Sequence, residues 1–171
     1  LGALRTYELL KAMSVLRVDI GWLADKRNNS IVDFGLSKSA EETFEFWDKN
    51  YTIKRMIRMV RAYKPDIIIP TFLDVNGQHG HHRSVTRATI EAYDKSNDPE
   101  MFPDDNFGPW KISQIFLPAW SGGGGSYDDE EDPPKATHSI DVGNFNHIYG
   151  GTYNQIGEWS RSYHATQNIG K

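Results

Sequence analysis

The apolar positions of the chain fall into short groups whose spacing switches between the helical and the extended period. Between residues 4 and 16, Leu9, Leu10, Ala12, Met13 and Leu16 recur at helical intervals, with Arg5 and Glu8 on another part of the surface, which predicts an amphipathic helix. A short apolar stretch at 18–24 reads as a strand and residues 25–30 as a polar loop. Ser39 followed three residues later by Glu42 is a capping box, so a helix is expected from there to about Tyr63, with a break near Asn50. Lys64-Pro65-Asp66 stops it. The run Ile67-Ile68-Ile69, continuing through Pro70 to Phe72, is a β-branched segment of the kind buried on both faces of a parallel sheet.

Residues 73–82 form a polar loop, and a helix is expected at about 83–95, followed by a connection through Pro103 and Pro109. Strands are expected at 112–119 and 137–142, and a terminal helix at 153–166. Helices alternating with apolar strands argue an α/β fold with a mostly parallel sheet, and a chain of 171 residues makes one domain, 1–171. Within it, residues 121–135 read as a flexible loop: Gly122 to Gly125, the acidic run Asp128 to Asp132, then Pro133-Pro134. No internal repeat is visible.

Composition narrows the chemistry. There are no cysteines, so thiolate metal sites and Cys nucleophiles drop out, and any metal must be held by His and carboxylate. Zero Cys leaves the compartment open. No apolar run approaches the roughly 20 residues of a membrane-spanning helix. The net charge of −4 hides a basic excess in residues 1–65, including Lys54, Arg55, Arg58, Arg61 and Lys64 along one predicted helix. That stripe reads as a solvated helix face rather than a nucleic-acid surface, so no nucleic-acid partner is expected. The Gly segments lack the spacing of dinucleotide or P-loop motifs. A start at Leu1, without a basic-then-apolar leader, suggests a processed or truncated product.

In open α/β sheets the functional crevice lies beyond the carboxyl ends of the strands, where the loop after residues 67–72 falls. This loop carries three of the six histidines: His79, His81 and His82. Residues three apart at a helix start share a side, so His79 and His82 are expected together and His81 elsewhere. A metal ligand beside a second imidazole acting as acid suits that spacing, although catalytic zinc usually takes three protein ligands.

Residues 64–69, Asp74 and Gly77-Gln78-His79-Gly80-His81-His82-Arg83 resemble the core of the LmbE/PIG-L family of zinc-dependent N-deacetylases, whose pattern is a Pro-Asp strand followed by His-Pro-Asp-His-Arg. Gly80 and His81 depart from its two middle positions. Arg5 with Glu8-Leu9 is similar to the family's Arg-x-x-Glu-Leu helix, Asp33-Phe34-Gly35 to its Asp-Phe-Gly loop, and residues 162–167 to its terminal His-x-Ser-Gln. The resemblance implies a Rossmann-like, three-layer fold. It makes His82 a Zn²⁺ ligand, with another divalent metal an alternative, and His79 the imidazole that protonates the leaving amine or steadies the oxyanion. It turns Arg5 and Asp33 toward a small-molecule N-acetyl sugar substrate. Read alone, Arg5 is equally a partner for Glu8, and Asp33 a turn residue before Gly35. His164 and Gln167 are expected to close the fold.

The family's remaining metal ligands and its general base come from a His-Pro-Asp-Asp-Glu motif after a first strand, and no such motif occurs here. The resemblance therefore implies absent N-terminal strands and metal base, an inactive fragment, and a sheet completed by a further segment or by another protomer. The competing reading is a non-catalytic deacetylase-like module that binds carbohydrate or protein, with Trp22, Trp47, Trp110, Trp120 and Trp159 as stacking platforms.

Overall fold

The structure is a computed structural model that describes residues 2–25, 30–118 and 135–167. Nearly all of the Gly-rich acidic loop expected at 121–135, and Trp120, lie outside the described residues. The chain forms two compact units, residues 1–21 with 137–171, and residues 22–136.

In the first unit, helix α1 (Gly2–Leu16) packs against a helix near the other end of the chain, Tyr153–Ser162. The latter begins with a capping box, in which Thr152 accepts from the Gln155 amide and the Gln155 side chain accepts from the Thr152 amide. Its Ser160 hydroxyl donates to the Ala12 carbonyl at 2.9 Å, and Ile156 is buried. The face that α1 buries is Glu8 and Ala12, whereas Leu4 and Leu10 are exposed, so the expected apolar stripe is not what seats this helix. Glu8 instead receives the Thr166 amide at 2.9 Å and the Thr166 hydroxyl at 2.6 Å, tying the 3₁₀ turn Ala165–Gln167 to α1. Those two donors hold its carboxyl below the ordinary carboxylate range.

Two strand expectations fail. Residues 18–24 form no regular strand: Arg17 is left-handed (φ 54°), Asp19 and Gly21 interrupt the alternation, and Val18 and Trp22 are exposed. Residues 137–142 are likewise irregular, with Ile140 exposed. The extended pair there is Phe145–Asn146 antiparallel to Gly151–Thr152, joined by a turn that uses Gly150 at φ 71°.

The second unit holds α2 (Ala40–Trp47), α3 (Lys49–Tyr63), β1 (Ile67–Ile68), α4 (Gly80–Lys95) and β2 (Gln114–Ile115). Ser39 caps α2 as the sequence predicts. The break falls at Asp48, whose φ of 60° turns the chain and whose carboxylate then accepts the Tyr51 amide as the cap of α3. Lys64, left-handed at φ 51°, ends α3 before Pro65. Strands β1 and β2 pair in parallel with α4 between them, a crossover of the kind the alternating pattern predicts. Ile53, Ile57 and Val60 of α3, Ala88 and Ala92 of α4, and Ile112 form the core between helices and strands.

The segment 67–72 is shorter as a strand and more open than expected. Ile67 is 48% and Ile69 63% exposed, because a strand is buried on both faces only where helices cover a sheet of several strands, and β1 has β2 alone beside it among the described residues.

In the basic stripe Lys54 and Lys64 are exposed as expected, whereas Arg55 and Arg61 are not solvated. Arg55 donates to the Leu23 carbonyl at 2.8 Å and reaches Asp25 at 3.4 Å. Arg61 is 2% exposed and donates to the carbonyls of Ser96 (3.1 Å), Asp98 (2.7 Å) and Met101 (2.9 Å), with the buried Asp105 carboxylate 3.8 Å away. It gathers the loop after α4 onto the core through these carbonyls. Arg61→Met is therefore expected to lower the unfolding free energy by about 3–5 kcal/mol, since four carbonyls lose the guanidinium and the buried Asp105 keeps only the more exposed Arg58. Arg58→Met, at a more exposed contact with the same Asp105, is expected to cost about 1 kcal/mol or less. Urea unfolding of the two variants checks the contrast.

Candidate functional site

The three histidines of the 77–83 motif come together at the start of α4. This helix begins at Gly80, three residues earlier than the periodicity indicates, because His79 caps it: Nδ1 of His79 accepts the His81 amide at 3.2 Å. A nitrogen that accepts from an N–H carries no proton, so the proton of neutral His79 is on Nε2, which faces the Gly35 carbonyl at 3.1 Å. His79 is thus held at both nitrogens, in one tautomer.

Two features allow that contact. Gly80 donates its amide to the Ser37 carbonyl at 2.8 Å, and a Cβ on it would lie 2.0 Å from the Ser37 hydroxyl and 2.4 Å from the Ser39 carbonyl. Only a glycine with a free N–H fits, so the proline of the family pattern does not belong in this packing. Around it a buried seam of small polar groups joins α2 to α4: Ser37 and Thr43 share a hydrogen bond of 2.8 Å, and Ser84 reaches the Ala40 carbonyl at 3.3 Å. The second feature is the 32–37 loop. Trp47 Nε1 donates to the Val32 carbonyl at 2.7 Å, Asp33 accepts the Gly35 amide at 2.9 Å, and Gly35 sits at φ 93°. Asp33 therefore makes the turn the sequence allowed, and that turn aims the Gly35 carbonyl at His79.

His79 and His82 have ring centroids 5.7 Å apart, as their spacing predicts. His81 does not point elsewhere: its ring lies edge-on to His79 at 4.5 Å, stacks on Trp47 at 4.9 Å and meets Phe34 edge-on at 4.5 Å. The reason is that His79, as the cap, lies off the helix and folds back over its first turn. His82 stacks flat on Phe72 at 4.0 Å. Trp47 is accordingly buried behind an imidazole rather than presented as a platform, and Trp110 borders the core. Trp22 and Trp159 are exposed, in different units. Arg5 lies exposed on α1, in the other unit from the histidines.

Asp74 pairs with two arginines. One oxygen accepts from Arg83 Nε at 2.7 Å and the other from Arg87 at 2.7 Å, while Arg87 also pairs with Glu41. The hydrogen bond with Arg87 holds the Glu41 carboxyl below its ordinary range. This ion cluster braces the loop 74–79 against α4 and α2, with both Asp74 oxygens paired to guanidinium groups. Sequence reasoning missed the brace, although Asp74 with Arg83 and Arg87 one helical turn apart was a usable signal.

Among the described residues no group of three or more His, Asp or Glu is arranged to hold a metal ion. His82 fits one coordination position. Burial, and then the neighbouring His79 and His81, push its pKa below 6.5, so it is a neutral imidazole at neutral pH, the form that ligates. Burial, then His79, also lowers His81, against a smaller opposing pull from Asp33.

Because folding depresses these two imidazoles, the unfolded chain takes up their protons first as the pH falls. Stability present above the ordinary imidazole value of 6.5 is lost as the pH drops through the folded values. His81→Phe, which keeps an aromatic ring between Phe34 and Trp47 but cannot titrate, is expected to show a shallower loss of thermal stability below pH 6.5 than the parent, measured with chelator present. An unchanged pH dependence would contradict the assignment.

A sequence model of the family described as PIG-L, GlcNAc-PI de-N-acetylase, matches residues 1–93, more than half of the chain. The chain is also similar to 1D-myo-inositol 2-acetamido-2-deoxy-alpha-D-glucopyranoside deacetylase 1 of Frankia alni, 27% identical over 129 residues, covering 71% of this chain and 43% of that protein. The protein of the same name from Frankia casuarinae is 28% identical over 130 residues, covering 71% and 40%. The chain thus spans about two-fifths of the length of these curated relatives. No solved structure matches. The match takes in α1, the 32–37 loop, β1 and the histidines of α4, and with it the Rossmann-like α/β character of the family. This chain belongs to the PIG-L family of de-N-acetylases.

Proposed function

We propose that this protein contributes the imidazole half of a zinc-dependent deacetylase site, removing the acetyl group from an N-acetylated amino sugar. The observation that carries the reading is the pairing of His79, held at both ring nitrogens, with a neutral, half-buried His82 at 5.7 Å, on the stretch that matches the family. His82 would be one zinc ligand, with the others supplied from outside the described residues. Bound zinc would serve as a Lewis acid toward the acyl carbonyl.

The chain's own groups supply the orienting contacts. His79 already presents Nε2–H toward an oxygen, the Gly35 carbonyl. Exchanging that acceptor for the oxyanion of a tetrahedral intermediate requires no change of protonation, which favours the oxyanion-stabilising role over amine protonation. Asp33 would bind sugar hydroxyls, from the same loop that orients His79. The relatives' names, which specify a 2-acetamido-2-deoxy-glucopyranoside deacetylase, support an N-acetyl sugar as substrate class. The half-exposed Ile67 and Ile69 further support a three-layer arrangement in which another strand, from outside the described residues or from a second protomer, completes the sheet beside β1.

Zinc added to the chain is expected to bind more weakly than at a closed three-ligand site, as read by calorimetry. His82→Ala should abolish that heat and His79→Ala should retain it; in a chain joined to a His-Pro-Asp-Asp-Glu segment, His79→Ala should lower kcat for acetate release from an N-acetylglucosaminyl-inositol by about 10²-fold or more. Loss of zinc in His79→Ala with retention in His82→Ala would reverse the two roles.

A further inference from the structure

His79 takes its orientation from two contacts, the Gly35 carbonyl at Nε2 and the His81 amide at Nδ1. One side chain touches the carriers of both. The indole of Trp47 donates from Nε1 to the Val32 carbonyl at 2.7 Å, three residues before Gly35, and its ring stacks on the imidazole of His81 at 4.9 Å. Phe34, next to Gly35, also meets His81 edge-on at 4.5 Å. Trp47 is itself fixed: it is buried at the end of α2, and its carbonyl accepts the hydroxyls of Thr52 and Ser30, both at 3.3 Å. The far end of the loop is held by the Gly80 amide at the Ser37 carbonyl. Val32 and Ser37 are thus the two anchored ends between which Gly35 is presented.

We propose that Trp47 is a positioning residue for His79, acting through the Val32 carbonyl on the turn that carries Gly35 and through the His81 ring on the first turn of α4. The inference rests on the deacetylase reading, in which Nε2–H of His79 is the donor to the developing oxyanion. Such a donor works only where its N–H is aimed in advance, since a hydrogen bond weakens steeply once it is bent. His79 is only partly buried, which leaves its two hydrogen bonds to fix the ring. The bond from the Gly35 amide to Asp33 shapes the turn from within, whereas the indole bond ties that turn to α2. A phenyl ring at position 47 would keep a stack on His81 but has no N–H for Val32. The indole nitrogen is therefore the part of Trp47 that filling the space does not require.

The test compares the parent with Trp47→Phe and with Trp47→3-benzothienylalanine, which replaces the indole N–H by sulfur at nearly the same shape. In protein labelled at histidine and glycine, the 3.1 Å hydrogen bond predicts NOE cross-peaks between the His79 ring protons and the Gly35 α-protons. Both substitutions are expected to remove these cross-peaks while keeping the fold, read by circular dichroism, and the Nε2–H tautomer, which the His81 amide sets. Val60→Ala, a truncation in the core among Ile57, Ala88 and Ile112, lowers stability and should keep the cross-peaks, which separates positioning from general loosening. In a chain joined to a His-Pro-Asp-Asp-Glu segment, Trp47→Phe should lower kcat for acetate release from an N-acetylglucosaminyl-inositol about tenfold with KM unchanged. Cross-peaks that persist in a folded Trp47 variant, cross-peaks that vanish in Val60→Ala as well, or an unchanged kcat would overturn the inference. Should Trp47→Phe not fold, the sulfur isostere decides alone. Acetate release by neither parent nor variant would remove the deacetylase reading, and the cross-peaks would still decide whether Trp47 places His79.

Discussion

The absence of a side chain at Gly80 is the constraint on which the arrangement of histidines depends. With a Cβ position only 2.0 Å from the Ser37 hydroxyl, no other residue lets the first turn of α4 settle onto the 37–43 segment and donate its amide to Ser37. That docking brings His79 within hydrogen-bond distance of Gly35 and seats His81 between Phe34 and Trp47. The family pattern carries proline at this position. Here close packing and an N–H donor take the place of the conformational stiffness that a proline would supply.

The electrostatics follow from the same packing. Holding imidazoles together in a partly buried cluster disfavours their charged forms, so His81 and His82 are neutral where an exposed histidine would begin to protonate. The charges nearby are spent elsewhere: Asp74 is neutralised between Arg83 and Arg87, and Arg87 extends to Glu41 on α2. The loop before α4 is thereby braced by ions on one side while the imidazoles stay uncharged on the other. This division suits a site that presents nitrogen donors and acceptors rather than net charge.

Legibility in the sequence varied with how local each signal was. The Ser39 cap, the stop at Lys64-Pro65 and the β1-α4-β2 succession are local and were readable from residue types. The start of α4 was not, because histidine is outside the favoured capping residues and only its tertiary neighbours reveal it as one. Arg61 was misread because a charge at helical spacing looks solvated until the carbonyls of residues 96–101 fold over it. Strands at 18–24 and 137–142 were over-read from apolar content that has no partner strand to pair with among the described residues. At the site, the motif located His79 and His82 by their spacing, whereas Gly35 and Trp47 act through a backbone carbonyl and a ring stack that no residue pattern encodes.

The tautomer of His79 tests the account most directly, since both of its nitrogens are assigned by packing that Gly80 permits. Long-range ¹H–¹⁵N spectra of the imidazoles should show His79 as the Nε2–H form in the parent protein. In Gly80→Ala that form should give way to a mixture, with stability lowered by about 1–3 kcal/mol. Gly108→Ala, where an added Cβ meets nothing within 4 Å, should change neither. A folded Gly80→Ala protein whose His79 signals match those of the parent would contradict the claim that this contact sets the geometry of the site.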